Sequence, residues 1–224
     1  MAKKRVPWEE YLDKISDMLD TLTDEQREIL LEHVSVVKFK KNEIIYKEGD
    51  LPTNLLCLVS GKVKIYKDGV GGRPQIMRVL GETEYFAYRA YMADEPFITA
   101  AAAFEPCVVL KIPLGIIVKT IQENARLGWF FIQRLAHDLG QSDERTVNLT
   151  QKHIRGRLAE SLLFLKESYG LEEDGSTLSI YMSREDLANL SNMTTSNAIR
   201  TLSAFAGEKL VAIDGRKIKF MNLQ

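Results

Sequence analysis

Cysteine is scarce in this chain: Cys57 and Cys107 are the only two in 224 residues. Each sits inside an apolar run, Leu55-Leu56-Cys57-Leu58-Val59 and Cys107-Val108-Val109-Leu110, which is the setting of a buried thiol. A cysteine-held iron–sulfur cluster needs more thiolates than that, so none is expected. The histidines, His33, His137 and His153, show no metal-type spacing, so no metal site is assigned. No apolar run approaches the roughly 18 residues of a membrane helix. The basic lead Met1–Trp8 has no apolar signal core, which leaves the protein expected in the cytoplasm. Excess charge is missing too, with 30 Lys and Arg against 31 Asp and Glu. Binding to a polyanion would therefore rest on local basic groups presented by geometry. A Gly-rich phosphate loop, His-Glu-x-x-His, Cys-x-x-Cys and a nucleophile elbow are all absent. No catalytic residue is nominated and an enzyme is not expected. Neither an internal repeat nor a low-complexity segment occurs.

What is present fits an ordinary soluble chain, 45% hydrophobic and 27% charged, long enough for two modest domains. From Trp8 to Leu31 apolar residues recur at helical spacing, and Thr23-Asp-Glu-Gln26 reads as a capping box. From Val36 to Ile112 the texture changes to short β-rich runs: 36–39, 44–46, 55–59, 63–66, 76–79, 99–103 and 108–112. Turns such as Glu48-Gly49-Asp50, Ser60-Gly61-Lys62 and Asp68-Gly-Val-Gly-Gly72 separate them, which predicts an antiparallel barrel or sandwich. Pro113 ends that region, and one long helix is predicted over Leu114–Gln151. Its seam, Ile132, Leu135, Leu139, Ser142, Thr146 and Leu149, steps by three and four residues. A helix with such a stripe needs a partner, and a second copy across a two-fold axis supplies one.

The tail reads as a separate α+β module. A helix over 154–169 and a strand over 178–181 precede Ser183–Phe205, and a final hairpin turns at Asp214-Gly215-Arg216. Within Ser183–Phe205, Ser183 with Asp186 and then Thr194 read as helix N-caps. Asn192 falls where a tight turn needs a left-handed residue. Ala188 permits a close helix crossing, with Leu187, Met193, Ala198 and Leu202 inside it. The outer face then carries Thr195, Ser196, Ile199 and Arg200. That is the layout of a helix-turn-helix, whose second helix enters the major groove. Arg200 suits guanine O6 and N7, Thr195, Ser196 and Asn197 suit bases or phosphates, and Lys209, Arg216, Lys217 and Lys219 suit phosphates.

Taken in order, these segments resemble the CRP/FNR family of bacterial regulators over nearly the whole chain. Glu48-Gly49-Asp50 and Ser60-Gly61-Lys62-Val63 are similar to its β-roll turns. Leu114–Gln151 is similar to its dimerisation helix, and Gly156-Arg157-Leu158-Ala159 to the start of its DNA-binding domain. The resemblance implies an α+β fold: an N-terminal antiparallel β-roll of double-stranded β-helix or jelly-roll type, a long dimerisation helix, and a C-terminal winged helix-turn-helix. The implied domains are 1–113, 114–151 and 152–224. The implied function is that of a homodimeric, sequence-specific transcriptional regulator controlled by an effector at the roll. Its partners would be a palindromic DNA operator, a second copy and RNA polymerase, with no membrane. The alternative is a ligand-binding signalling module acting through a protein partner.

The DNA-binding set is Ser183, Thr194, Thr195, Ser196, Asn197, Ile199, Arg200, Arg216 and Lys217. The effector-pocket set is Gly81, Glu82, Tyr88, Arg89, Thr99 and Ser142. In the family's cyclic-AMP binders a glutamate holds the ribose and an Arg-Ser pair the phosphate. Those positions fall here at Tyr88, Ile98 and Thr99. Without the arginine a charge-assisted pair is lost, so cyclic AMP is not expected unless Arg89 substitutes. Tyr85, Phe86, Tyr88, Tyr91 and Met92 could line a flat apolar ligand site, haem included, or simply fill the barrel. The family's usual recognition-helix glutamate falls at Ser196, while Arg200 keeps its arginine, so the target half-site is expected to differ.

Overall fold

The structure, a computed structural model, describes residues 8–69 and 72–221. The basic lead before Trp8, and Val70 and Gly71 of the glycine turn, lie outside the described residues. A 3-10 segment over Glu9–Ile15 leads into α1 (Ser16–Leu19), and α2 (Asp24–Leu31) follows. The capping box forms: Thr23 Oγ1 accepts from the Gln26 amide at 3.3 Å, and Gln26 Oε1 accepts from the Thr23 amide at 3.2 Å.

The β region contains β1 (Ser35–Phe39), β2 (Ile44–Tyr46), β3 (Asn54–Ser60), β4 (Val63–Asp68), β5 (Pro74–Leu80) and β6 (Tyr85–Phe86). After them come α3 (Arg89–Met92), β7 (Ala100–Ala103) and β8 (Cys107–Pro113). They form two four-stranded sheets, ordered β1-β8-β3-β6 and β2-β7-β4-β5. One face of β3 and β8 meets the other sheet through Leu56, Leu58, Cys107 and Val109. Their other face, with Leu55, Cys57, Val59, Leu110 and Ile112, packs against the helices through Ile15, Met18, Leu127 and Phe131. Because β3 is covered on both sides, its sequence is a continuous apolar run and not an alternating one. Both cysteines are free and buried there. Burial pushes the Cys57 thiol up to about 12 and the Cys107 thiol up to about 11.

The predicted single helix over 114–151 is two. α4 (Leu114–Glu123) stops at Asn124, whose backbone is extended, and α5 (Ala125–Gln151) restarts. The Asn124 side chain decides this: Oδ1 accepts from the Arg126 amide at 3.0 Å, while Nδ2 donates to Thr21 O and Gln26 Oε1.

The chain divides into a first unit, residues 1–67 with 78–139, and a second, residues 68–77 with 140–224. The second unit holds α6 (Ile154–Tyr169), α7 (Arg184–Leu190), α8 (Thr195–Gly207), β9 (Val211–Asp214) and β10 (Lys217–Phe220). The strand predicted over 178–181 does not form. Only isolated bridges, Leu171 to Leu178 and Thr177 to Lys219, occur there. Asp174 curls the preceding loop by accepting from the Ser176 and Thr177 amides, which are then lost to any ladder. Among the described residues no helix is long and apolar enough to cross a membrane.

Candidate nucleic-acid interface and roll site

In the second unit, α7 and α8 make a helix-turn-helix from local signals. Ser183 Oγ accepts from the Asp186 amide at 3.0 Å, and Thr194 Oγ1 from the Asn197 amide at 3.2 Å. Asn192 takes the left-handed conformation of the turn at φ 49°. Leu187, Ala188, Met193, Ala198 and Leu202 are all buried at the crossing. Thr195, Ser196, Ile199 and Arg200 share the exposed face of α8, with Ile199 47% exposed. Asn197 is half-buried, and its Oδ1 accepts from the Arg200 guanidinium at 2.5 Å. A recognition-type helix thus presents one preset cation, one apolar side chain and two hydroxyls.

The hairpin β9–β10 is tied to this module by Arg184, which donates to the Gly215 carbonyl at 2.8 Å. Arg216 is exposed at its turn. Lys217 faces Glu172 at 3.7 Å and Lys219 faces Asp174 at 3.2 Å, so both lysines already have acidic neighbours. Both are exposed pairs of small worth, and a phosphate can compete for either lysine.

Sequence reasoning missed Arg145 on α5. It donates to the Ile76 and Leu190 carbonyls, both at 2.9 Å, and lies 5.5 Å from the Phe164 ring centroid. Among the described residues no carboxylate pairs with it, and burial lowers its pKa to about 10. Leu190 is the last residue of α7, so this arginine holds the start of the helix-turn-helix turn. Its only sequence signal is a basic residue between Ser142 and Thr146 of the seam.

The residues nominated for an effector belong to both units. In the first unit, Gly81 donates its amide to Glu84 Oε2 at 2.5 Å, and Glu82 pairs with Lys14 at 2.7 Å. Arg89 pairs with Glu95 at 2.5 Å, and Thr99 lies beside the Tyr46 hydroxyl. Ser142 belongs to the second unit. Tyr88 is only 3% exposed, with its ring 5.2 Å from that of Phe131. Burial, then Asp138, pushes its phenol up to about 12.

The charged residues that do gather beside Tyr88 were not nominated. Arg78 on β5 pairs with Asp138 on α5 at 2.6 Å, and Glu84 stands 3.7 Å from the same guanidinium. Burial raises the Glu84 pKa, partly countered by the Gly81 amide and Arg78. Arg134 pairs with Asp17 and lies over the Tyr85 and Phe130 rings, 4.7 and 4.5 Å from their centroids. Beside Tyr88 the Arg78 guanidinium is held by Asp138 and Glu84, while Arg89 forms an exposed pair with Glu95 and Ile98 is apolar.

Of the seam, Ile132 and Leu139 are 54% and 63% exposed, while Leu135 is partly buried on the first unit's core. Ser142 and Thr146 are exposed, and the Thr146 hydroxyl is satisfied within α5 by the Ser142 carbonyl. Trp129 at 60% and Val147 at 49% lengthen the exposed apolar stripe at both ends, and sequence reasoning missed them.

Comparison with known proteins agrees with this anatomy. A family model described as a cyclic nucleotide-binding domain matches residues 36–124, and a Crp-like helix-turn-helix domain matches residues 156–224. The chain is 20% identical over 190 residues to the CRP-like cAMP-activated global transcriptional regulator of Mycobacterium tuberculosis, covering 84% of this chain and 85% of that one. It is 23% identical over 192 residues to the global nitrogen regulator of Synechococcus elongatus, covering 84% and 86%. The solved structure of FixK2 from Bradyrhizobium japonicum shares its fold at a TM-score of 0.76 and 21% identity, over 84% of this chain and 93% of that one.

Proposed function

Because the chain belongs to the CRP/FNR family of transcriptional regulators, we propose that it works as a homodimer reading a palindromic operator, under control of an effector other than cyclic AMP at its roll. The observation that carries this is the exposed Thr195-Ser196-Ile199-Arg200 face on a capped, close-packed helix-turn-helix. Arg200 is the guanine reader, with Ser183, Thr194, Asn197, Arg216 and Lys217 serving phosphates and neighbouring bases. The apolar stripe from Trp129 to Val147 is the dimer seam, because a monomer would leave that row of large side chains in water. The division into a roll (1–113), a dimerisation helix (114–151) and a DNA-binding domain (152–224) follows from these roles. RNA polymerase is the further partner and the cytoplasm the place of action.

Cyclic AMP is set aside on two features: Tyr88 buried at the ribose position and Ile98 at the phosphate position. The test is selection of duplexes from a random library by the full-length protein, with sedimentation to give its mass. A dimer that enriches a palindrome with half-sites about one helical turn apart, roughly 34 Å, supports the reading. A monomer that enriches nothing at low salt overturns it and leaves a protein-directed signalling module.

A further inference from the structure

The chain passes between its two units at three places: after Lys67 on β4, before Arg78 on β5 and after Leu139 on α5. Arg78 and Asp138 sit at two of those places, 60 residues apart in sequence, and are joined to each other in the first unit. Their side chains are 33% and 24% exposed, so water screens this pair less than a surface one. Glu84 adds a second carboxylate to the same guanidinium, and Tyr88 lies in the field of all three groups. In the second unit the same two elements are joined again, where Arg145 of α5 donates to the Ile76 carbonyl of β5. That arginine also donates to Leu190 at the helix-turn-helix turn. Thus β5 and α5 are laced within each unit by side chains of the protein itself.

We infer that the Arg78–Asp138 pair takes the place of a bound nucleotide in this chain: it joins the roll to the long helix, and DNA affinity depends on it. This rests on the reading of the chain as a DNA-binding regulator and deepens it. With two carboxylates on one guanidinium, the charge beside Tyr88 is net negative and opposes the approach of a cyclic phosphate. A ribose at its expected position would have to displace Tyr88 from its contact with Phe131. Asp138 lies two positions before α5 enters the second unit, and α5 continues unbroken to Arg145 and beyond. α5 is thus the element through which a change at the pair would reach Arg145, the residue that holds the helix-turn-helix turn.

The experiment measures affinity of the full-length protein for a duplex enriched by selection, with and without cyclic AMP, cyclic GMP or cyclic di-GMP. The proteins compared are the wild type, Arg78→Gln, Asp138→Asn and the exchange Arg78→Asp with Asp138→Arg. No response to nucleotide is expected, with a loss of about tenfold in either single variant and recovery in the exchange, a size ordinary for coupled sites. A cyclic nucleotide that tightens DNA binding about tenfold overturns the proposal, as do single variants that bind DNA like the wild type. Calorimetric titration of the wild type with each nucleotide needs no variant, and saturable binding overturns the proposal as well. If selection enriches no duplex, it is the regulator reading that fails. The pair is then judged by hydrogen exchange of the α5 amides over 134–142, where faster exchange in Asp138→Asn supports the lacing and unchanged exchange overturns it.

Discussion

Alanine placed at Gly49 and at Gly61 asks two different questions of one backbone conformation. Both residues sit in β-roll turns, with φ +87° and +85°. A side chain at either position meets the left-handed penalty of about 1–2 kcal/mol. At Gly49 nothing lies within 4 Å of the added Cβ, so the penalty is the whole cost. At Gly61 the Cβ would lie 2.4 Å from the Pro106 carbonyl oxygen and 2.8 Å from Cys107 Cβ. Neither atom is the free end of a flexible side chain. Cys107 is 3% exposed, starts β8 and pairs with Phe39 of β1, so yielding there shifts a core strand. Overpacking of that kind adds about 1–3 kcal/mol. Gly61→Ala is therefore expected to cost about 2–5 kcal/mol against about 1–2 for Gly49→Ala. Urea unfolding followed by tryptophan fluorescence reports the correct unit, since Trp8 and Trp129 both belong to the first one. Equal midpoint shifts in the two variants would refute the steric account of the Ser60-Gly61-Lys62 signature.

Arg200→Ala is expected to weaken binding to the selected operator by about 1–3 kcal/mol and to relax preference at one base, read by competition with single-base variants. Lys217→Ala, by contrast, should weaken all duplexes alike and flatten the salt dependence. Leu139→Glu puts a carboxylate in the centre of the exposed α5 stripe, and sedimentation should show monomers where the wild type shows dimers. The raised thiol pKa values of Cys57 and Cys107 mean that thiolate is scarce in the folded chain near pH 8. Alkylation there should be slow in buffer and fast in urea, where both thiols regain ordinary acidity near pH 8.5 or about that. Fast labelling of the native protein would contradict the burial that causes the shift.

Much of the candidate interface was legible because its causes are local. The caps at Ser183 and Thr194, the left-handed Asn192 and the small Ala188 each act within a few residues, and each appears where the spacing predicted it. The seven strand runs were legible for a similar reason, with ends that match or are displaced by at most two residues. The two-residue β6 was too short to leave a pattern. The break at Asn124 was not visible, because asparagine inside a helical pattern becomes a stop only when its amide has the Thr21 carbonyl to meet. Nor could spacing show that Trp129 lies on the outer face of α5 while Phe130 and Phe131 turn toward the first unit's core.

The amino-acid order alone therefore determined the kinds of element, their succession and the caps that start them, since these depend on contacts over one or two turns of chain. The tertiary structure decided which charges meet. Arg78 finds Asp138, and Arg145 finds Ile76 and Leu190, across 60, 69 and 45 residues. Such partners are set by how the sheets and helices pack, and no periodicity along the chain encodes a distance through space.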